Sequence, residues 1–186
     1  MMPYARSNAP DCLSGIDPGT WPLSAACNRE TRRRLFAASG DRCAFCDGLM
    51  KITSKATIEH FRPKSQFPNL KALWSNLFPC CDQCQSAKLE KFDEALLKPD
   101  EPSYSFLRYF VCNFRTCEIE IDPVAAPDDQ QRAAITKKIY GLNSTERCNA
   151  RRHERRKWRA VVQQSAQEGL EQAELDDWQF RFYLQH

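Results

Sequence analysis

No stretch of this chain approaches the roughly 18 consecutive apolar residues of a membrane-crossing helix, so no membrane span is available to it. The start, Met1-Met2-Pro3-Tyr4-Ala5-Arg6, has no charged region followed by an apolar run, and the expectation is a cytoplasmic, reducing setting. No internal repeat or low-complexity segment is present. Charge of one sign is not in large excess either: 27 Lys and Arg oppose 24 Asp and Glu, a formal +3. That balance is too even to mark a polyanion partner, so any nucleic-acid footprint must come from local clustering. At 186 residues the chain can bury a core without needing disulfides.

What is abundant is cysteine, ten in all. In a reducing setting, paired Cys-x-x-Cys motifs hold metal more often than they form disulfides. Two such pairs are present, Cys43-Ala44-Phe45-Cys46 and Cys81-Asp82-Gln83-Cys84. Two knuckles of this type close a tetrahedral thiolate site with Zn–S distances of about 2.3 Å, and four cysteines with no open position make a structural site. Thirty-four residues separate Cys46 from Cys81, so the zinc would clamp the base of a long inserted loop. Zinc binding worth about 10–16 kcal/mol in small zinc modules shows that such a clamp can decide folding. The competing reading is a set of reduced, buried thiols, and Cys80 competes with Cys81 because Cys80-x3-Cys84 is also a pair. Cys12 and Cys27 lack ligand spacing and read as half-buried small residues. Cys112 and Cys117 face each other across an expected turn, but two thiols alone make a poor zinc site.

The pattern divides into an irregular arm over residues 1–28, a core over 29–95 and a hairpin with helices over 96–186. Pro3, Pro10, Pro18 and Pro22 break up the arm. A helix is expected from Asn28, as its cap, to Ser39, with Gly40 as its stop. Strand-forming residues between Lys51 and Phe61 place Glu59 and His60 at a strand end, where simple alternation would send them to opposite faces. Both can serve one site only if the backbone bends there or each does a different job. A short strand over Asn76–Phe78 and a helix over Asp82–Phe92 complete a strand, loop, strand, helix order.

Further on, Phe106, Tyr109 and Val111 form one side of an expected hairpin and Glu118–Ile121 the other, with the turn at Asn113–Thr116. Asp128 or Asp129 caps a helix ending near Gly141, and Asn143 with Glu146 resembles a capping box opening a long helix to about Gly169. A last helical stretch runs from Leu170 through Leu175, Trp178, Phe182 and Leu184. Arg147, Arg151, Arg155 and Arg159 recur every four residues on the long helix; the stripe suits a nucleic-acid backbone, the acidic stretch after Glu168 or a partner protein.

Glu59-His60, Asn76-Leu77, Cys81 and Cys84-Gln85-Ser86-Ala87-Lys88 together resemble the HNH endonuclease family, whose zinc-bearing members combine two Cys-x-x-Cys pairs with a ββα-metal active site. Glu59-His60-Phe61-Arg62-Pro63-Lys64, Trp74-Ser75-Asn76-Leu77 and Ile139-Tyr140-Gly141-Leu142-Asn143 are similar to the subgroup that includes the nuclease subunit of Septu-type anti-phage systems, also found with some retrons. The resemblance covers about residues 30–156. It implies an α+β protein with a treble-clef-like core on a four-cysteine zinc site, and, from Asn76 standing five residues before it, Cys81 rather than Cys80 as the ligand. It also implies His60 as general base, Asn76 orienting it and shaping the loop, and Glu59 with Gln85 binding a catalytic Mg2+ or Mn2+. Where the family usually has Asn or His, this chain has Gln85, whose side chain is one methylene longer than that of Asn.

The chemistry agrees with that division of labour. A neutral imidazole with an ordinary pKa near 6.5 suits proton abstraction from water, and a hard divalent ion prefers oxygen ligands. Arg62, Lys64 and Lys88 flank the expected site and are candidates for holding phosphates. The resemblance further implies cleavage of DNA, with RNA as the alternative, and an ABC-like ATPase partner in bacterial defence. The rival from another class is a non-catalytic zinc module that binds nucleic acid or scaffolds that ATPase.

Overall fold

The computed structural model describes residues 1–50, 55–168 and 178–184, with side chains described to position 164 in the long helix. Helix α1, Ala25–Ser39, starts ahead of the expected Asn28 because Ser24 caps it, its side chain accepting from Cys27 N. Gly40 ends it at φ +59°, a conformation that costs glycine little. Strand β1, Ala56–His60, pairs antiparallel with β2, Leu77–Cys81, in a register that sets Glu59 opposite Phe78 and His60 opposite Leu77. Helix α2, Asp82–Lys88, follows β2 directly. Ile52 and Thr53 lie outside the described residues.

The second half begins with a short helix α3, Phe106–Tyr109, in place of the expected strand there. Its C-terminal neighbour Phe110 opens β3, Phe110–Asn113, which pairs with β4, Glu118–Ile121. Helix α4, Pro127–Ile139, has Pro127 in its first turn rather than an Asp cap, and Asp129 instead pairs with Arg108 at 2.8 Å. Gly141 terminates this segment at φ +56°.

The long helix α5 spans Thr145–Glu168. Ser144, not Asn143, occupies its capping position, accepting from Arg147 N at 3.4 Å. Asn143 exchanges hydrogen bonds with both Ile119 N and Ile119 O at 2.9 Å, tying the helix start to the hairpin. Of the last expected helix, Leu170 and Leu175 lie outside the described residues; α6, Arg181–Leu184, presents Phe182, Tyr183 and Leu184 to the core.

The principal core joins these parts. Phe45, between the first two cysteines, stacks on Tyr140 with ring centroids 4.1 Å apart, and Phe78 of β2 packs against it in a tilted arrangement at 5.7 Å. Aromatic pairs of this kind contribute about 0.5–1.5 kcal/mol beyond the area they bury. The arm over 1–24 wraps this core. Arg6 pairs with Asp100 at 2.8 Å, donates to Trp74 O and Leu77 O, and lies over the Phe78 ring at 4.4 Å. Cys12 and Cys27 are joined in a disulfide with Cα atoms 5.6 Å apart, which corrects the expectation of two unlinked thiols. Their separation of 15 residues has no ligand-like spacing and left no mark to read. No helix among the described residues is long and apolar enough to cross a membrane.

Candidate active site and metal centre

The first knuckle is a tight turn. Cys43 N donates to Gly48 O, and Asp47 N to Cys43 O, with Asp47 at φ +60°. Ala44 N donates to Pro79 O at 2.9 Å, which fastens the turn to β2 and carries Cys43 and Cys46 over the end of that strand. The second knuckle is the β2–α2 junction, where Cys81 caps the helix through its sulfur. The four sulfurs of Cys43, Cys46, Cys81 and Cys84 lie within 4.8 Å of one another, and all four residues are buried. A tetrahedron with arms of about 2.3 Å has edges of about 3.8 Å, and Cys46 Sγ stands 3.7 Å from Cys81 Sγ. Spacing, burial and soft donors all fit zinc.

Of the two adjacent cysteines, Cys81 belongs to the four-sulfur cluster, and Cys80 lies beside it within reach of Cys43 and Cys84. The Cys80 thiol donates to Cys81 O, and burial pushes its pKa well up. On the far side Arg147 of α5 reaches in, its Nη2 3.1 Å from Cys84 Sγ and 4.0 Å from Cys81 Sγ. Burial opposes a charge on Arg147, but the neighbouring Cys84, Cys46 and Cys81 sulfurs more than offset it, so the guanidinium stays protonated. Four thiolates around a bound zinc would carry two net negative charges in a buried place, and Arg147 is placed to answer one of them. Sequence spacing placed Arg147 on a surface stripe; the structure corrects this.

Glu59, His60 and Gln85 line one cavity of about 300 Å3, with Trp21 and Lys64 at its walls. The strand ends at His60 and the chain turns immediately afterwards, so the alternation that would separate the two neighbours is interrupted. The His60 ring stands edge-on to Trp21, centroids 4.5 Å apart, and Nε2 lies 2.9 Å from Lys71 O. A carbonyl accepts only, so Nε2 carries the proton in this arrangement and Nδ1 is left as the basic nitrogen. Burial, aided by the positive charges of Lys64 and Lys88, lowers the His60 pKa to about 4 even though the Lys71 carbonyl works the other way. Trp21, supplied by the arm, is the member of this site that no local motif announced.

The described hydrogen bonds of the Asn76 side chain go to the loop rather than to His60. Its Oδ1 accepts from Arg62 N at 2.7 Å, and its Nδ2 donates to Arg62 O and Leu70 O at 3.1 and 3.0 Å. The side chain therefore closes the 61–76 loop, and Lys71, whose carbonyl holds His60, sits next to Leu70 in that loop.

Glu59 faces Lys88. The Lys88 ammonium is fully buried and donates to Glu59 Oε1 at 2.8 Å and to His60 O at 2.9 Å. Burial raises the Glu59 pKa, while Lys88 and Gln85 pull it down. Gln85 Nε2 donates to Ile58 O at 3.1 Å, leaving its Oε1 as an available hard donor. In this arrangement Lys88 is directed inward rather than toward a phosphate. Arg62 is also engaged, in a two-armed contact with Glu94 at 2.9 and 2.6 Å and over the rings of Phe67 and Phe92. Lys64 alone of the three flanking cations lines the cavity.

No protein-family model matches the chain. One curated relative does. Over 83 residues the chain is 32% identical to the Septu protein PtuB of Bacillus thuringiensis, a match covering 42% of this chain and 32% of that protein. The chain thus spans about a third of that relative's length, and the likeness supports a Septu-like relationship.

Proposed function

We propose that this chain is a metal-dependent endonuclease of the HNH type, hydrolysing phosphodiester bonds in DNA in preference to RNA, within a Septu-like anti-phage system that includes an ATPase partner. The observation that carries the catalytic part is the convergence of Glu59, a neutral His60 and Gln85 in one cavity beside a buried four-cysteine cluster. The likeness to PtuB carries the biological part.

In this reading His60 Nδ1 takes a proton from the attacking water, Lys71 O holds the ring through Nε2, and Asn76 keeps the loop bearing Lys71 in place. A positioned base of this kind accelerates hydrolysis by about 10²- to 10⁴-fold. The Glu59 carboxylate and Gln85 Oε1 are hard oxygen donors of the sort that Mg2+ or Mn2+ prefers, so the pair fits such an ion. When bound, the ion supplies charge stabilisation to the phosphorane and the leaving oxygen. Lys64 at the cavity wall holds the scissile phosphate or its neighbour.

A second reading has one observation behind it: the Lys88 ammonium already engages Glu59, as suits a zinc scaffold without a divalent-ion site. Purified protein incubated with labelled plasmid, single-stranded DNA and total RNA, with Mg2+ or Mn2+, separates the two. The nuclease reading expects cutting that needs the divalent ion and is lost in His60→Ala while binding persists. Equal cutting by His60→Ala, or no cutting by zinc-loaded protein with or without its ATPase, supports the scaffold.

A further inference from the structure

The arginine stripe of α5 does not stay on one face. Each step of four residues advances about 40° around a helix, so four members drift through more than a quarter turn. Arg147 and Arg151 have turned inward: Arg151 is fully buried, donating to Cys117 O at 2.7 Å and to Leu142 O at 2.9 Å. A different set makes the outer face. Arg152, Arg155, Arg156 and Arg159 stand at i, i+3, i+4 and i+7, the spacing that lays side chains along a single ridge. Arg115, from the β3–β4 turn, closes the other side.

These five arginines and Phe114 line a surface groove of about 270 Å3. Its floor is prearranged. Arg155 donates to Phe114 O at 2.8 Å and its guanidinium lies 4.5 Å from the Phe114 ring centroid. Arg152 is held by Asn149 Oδ1 at 2.7 Å and Thr116 O at 3.2 Å. Arg115, Arg156 and Arg159 are exposed. None of the five forms an ion pair with a described carboxylate, and Glu154 on the same helix is buried and turned to Gln179 N. Five guanidinium groups around one groove, with no carboxylate partner among the described residues, create a positive potential that the near-neutral total charge conceals.

We propose that this groove is a second nucleic-acid contact, gripping the phosphate backbone of the strand whose cleavage the Glu59–His60 cavity carries out. It uses none of the cavity's residues. The identity of the polyanion rests on the nuclease reading; the existence of the site rests on the groove. Four arginines spread over about 10 Å of helix rise, the extent of a few successive phosphates, can each take a phosphate oxygen through their paired N–H groups. Contacts of this kind position the strand without reading its sequence.

The test measures binding in the His60→Ala background, so that cleavage cannot intervene, using a fluorescent 30-nucleotide single strand and the corresponding duplex over a range of salt. Arg115→Gln, Arg156→Gln and Arg159→Gln are combined, since these three are exposed and have no described side-chain partner, and a thermal melt of the variant checks that the fold is intact. The expected result is about tenfold or greater weakening at 0.1 M salt. The slope of log affinity against log salt should become shallower by about 0.9 for each duplex phosphate that the variant no longer neutralises. Arg156→Lys with Arg159→Lys should retain the slope. Unchanged affinity and slope in the glutamine variant would overturn the groove as a nucleic-acid contact, as would failure of the His60→Ala parent to bind either strand form. Cleavage by the otherwise wild-type chain with unaltered binding in the glutamine variant leaves the nuclease standing and removes only the groove.

Discussion

The Lys88 ammonium sits 2.8 Å from Glu59 Oε1 and 2.9 Å from His60 O, so one buried cation is shared between the two neighbours at the end of β1. The pair fastens α2 to the strand, and it keeps the Glu59 carboxylate at a position from which burial alone would expel its charge. Lys88→Met removes one partner and leaves the other buried. The expected cost is about 3–5 kcal/mol of unfolding free energy, measured by denaturant titration. Lys88→Met combined with Glu59→Gln should recover a substantial part of that loss. Additive losses in the double variant would show that the two groups do not act as a pair.

His60 should make stability depend on pH in a defined window. Its pKa is lowered to about 4 in the fold, against about 6.5 for an exposed imidazole. Between these values the unfolded chain binds the extra proton and the folded chain does not, so stability is complete above about pH 6.5 and falls as pH drops toward 4. The loss attributable to this one group is roughly 2–3 kcal/mol across the window. Subtracting the unfolding free energies of His60→Gln from those of the wild type at each pH isolates it, because any loss of zinc at low pH is common to both. A flat difference would mean that His60 is not held neutral by burial.

Arg147 should govern how tightly zinc is held. Its guanidinium, 3.1 Å from Cys84 Sγ, stabilises the charged form of the thiolate cluster. Partners of this kind typically change metal affinity by about 10- to 100-fold when removed. Competition with a chromogenic chelator should show Arg147→Met releasing zinc more readily by that order, with Arg147→Lys intermediate. Equal affinity in all three proteins would reduce Arg147 to a packing residue.

Gln85 bears on the divalent ion. Gln85→Leu removes the amide oxygen and also the 3.1 Å bond to Ile58 O. If Gln85 helps to hold Mg2+ or Mn2+, the concentration needed for half-maximal cleavage rises several-fold while nucleic-acid binding by the same protein stays constant. Gln85→Asn, one methylene shorter, should recover ion dependence in part. An unchanged ion requirement would assign the ion to Glu59 without Gln85.

Asn76 offers a separation of loop geometry from chemistry. Asn76→Ala breaks three hydrogen bonds to backbone groups of the 61–76 loop, costing about 1–3 kcal/mol for the groups left unpaired. Cleavage should fall while zinc content stays at one per chain. Loss of zinc instead would place the effect in the fold of the core.

Much of the local architecture was legible from spacing alone. Gly40 and Gly141 mark real chain terminations because each occupies a left-handed backbone conformation that other residues resist. The two Cys-x-x-Cys pairs come together because each spacing matches a turn whose sulfurs face one way, and burial plus soft donors then suit zinc. The order of strand, loop, strand and helix from residue 56 to 88 follows from β-branched residues, prolines and a polar helical run.

The tertiary structure decided what local pattern could not. Lys88 and Arg147 look like surface charges in sequence, yet each is desolvated beside an acidic group, the Glu59 carboxyl or the Cys84 sulfur, brought from elsewhere in the chain. The same holds for Trp21 against His60 and for Cys12 against Cys27. Residue type and spacing determine which chemistry a segment can support. Whether a charge faces water or a buried counter-charge depends on how distant segments pack, and that is set by the whole chain's competition between desolvation and pairing.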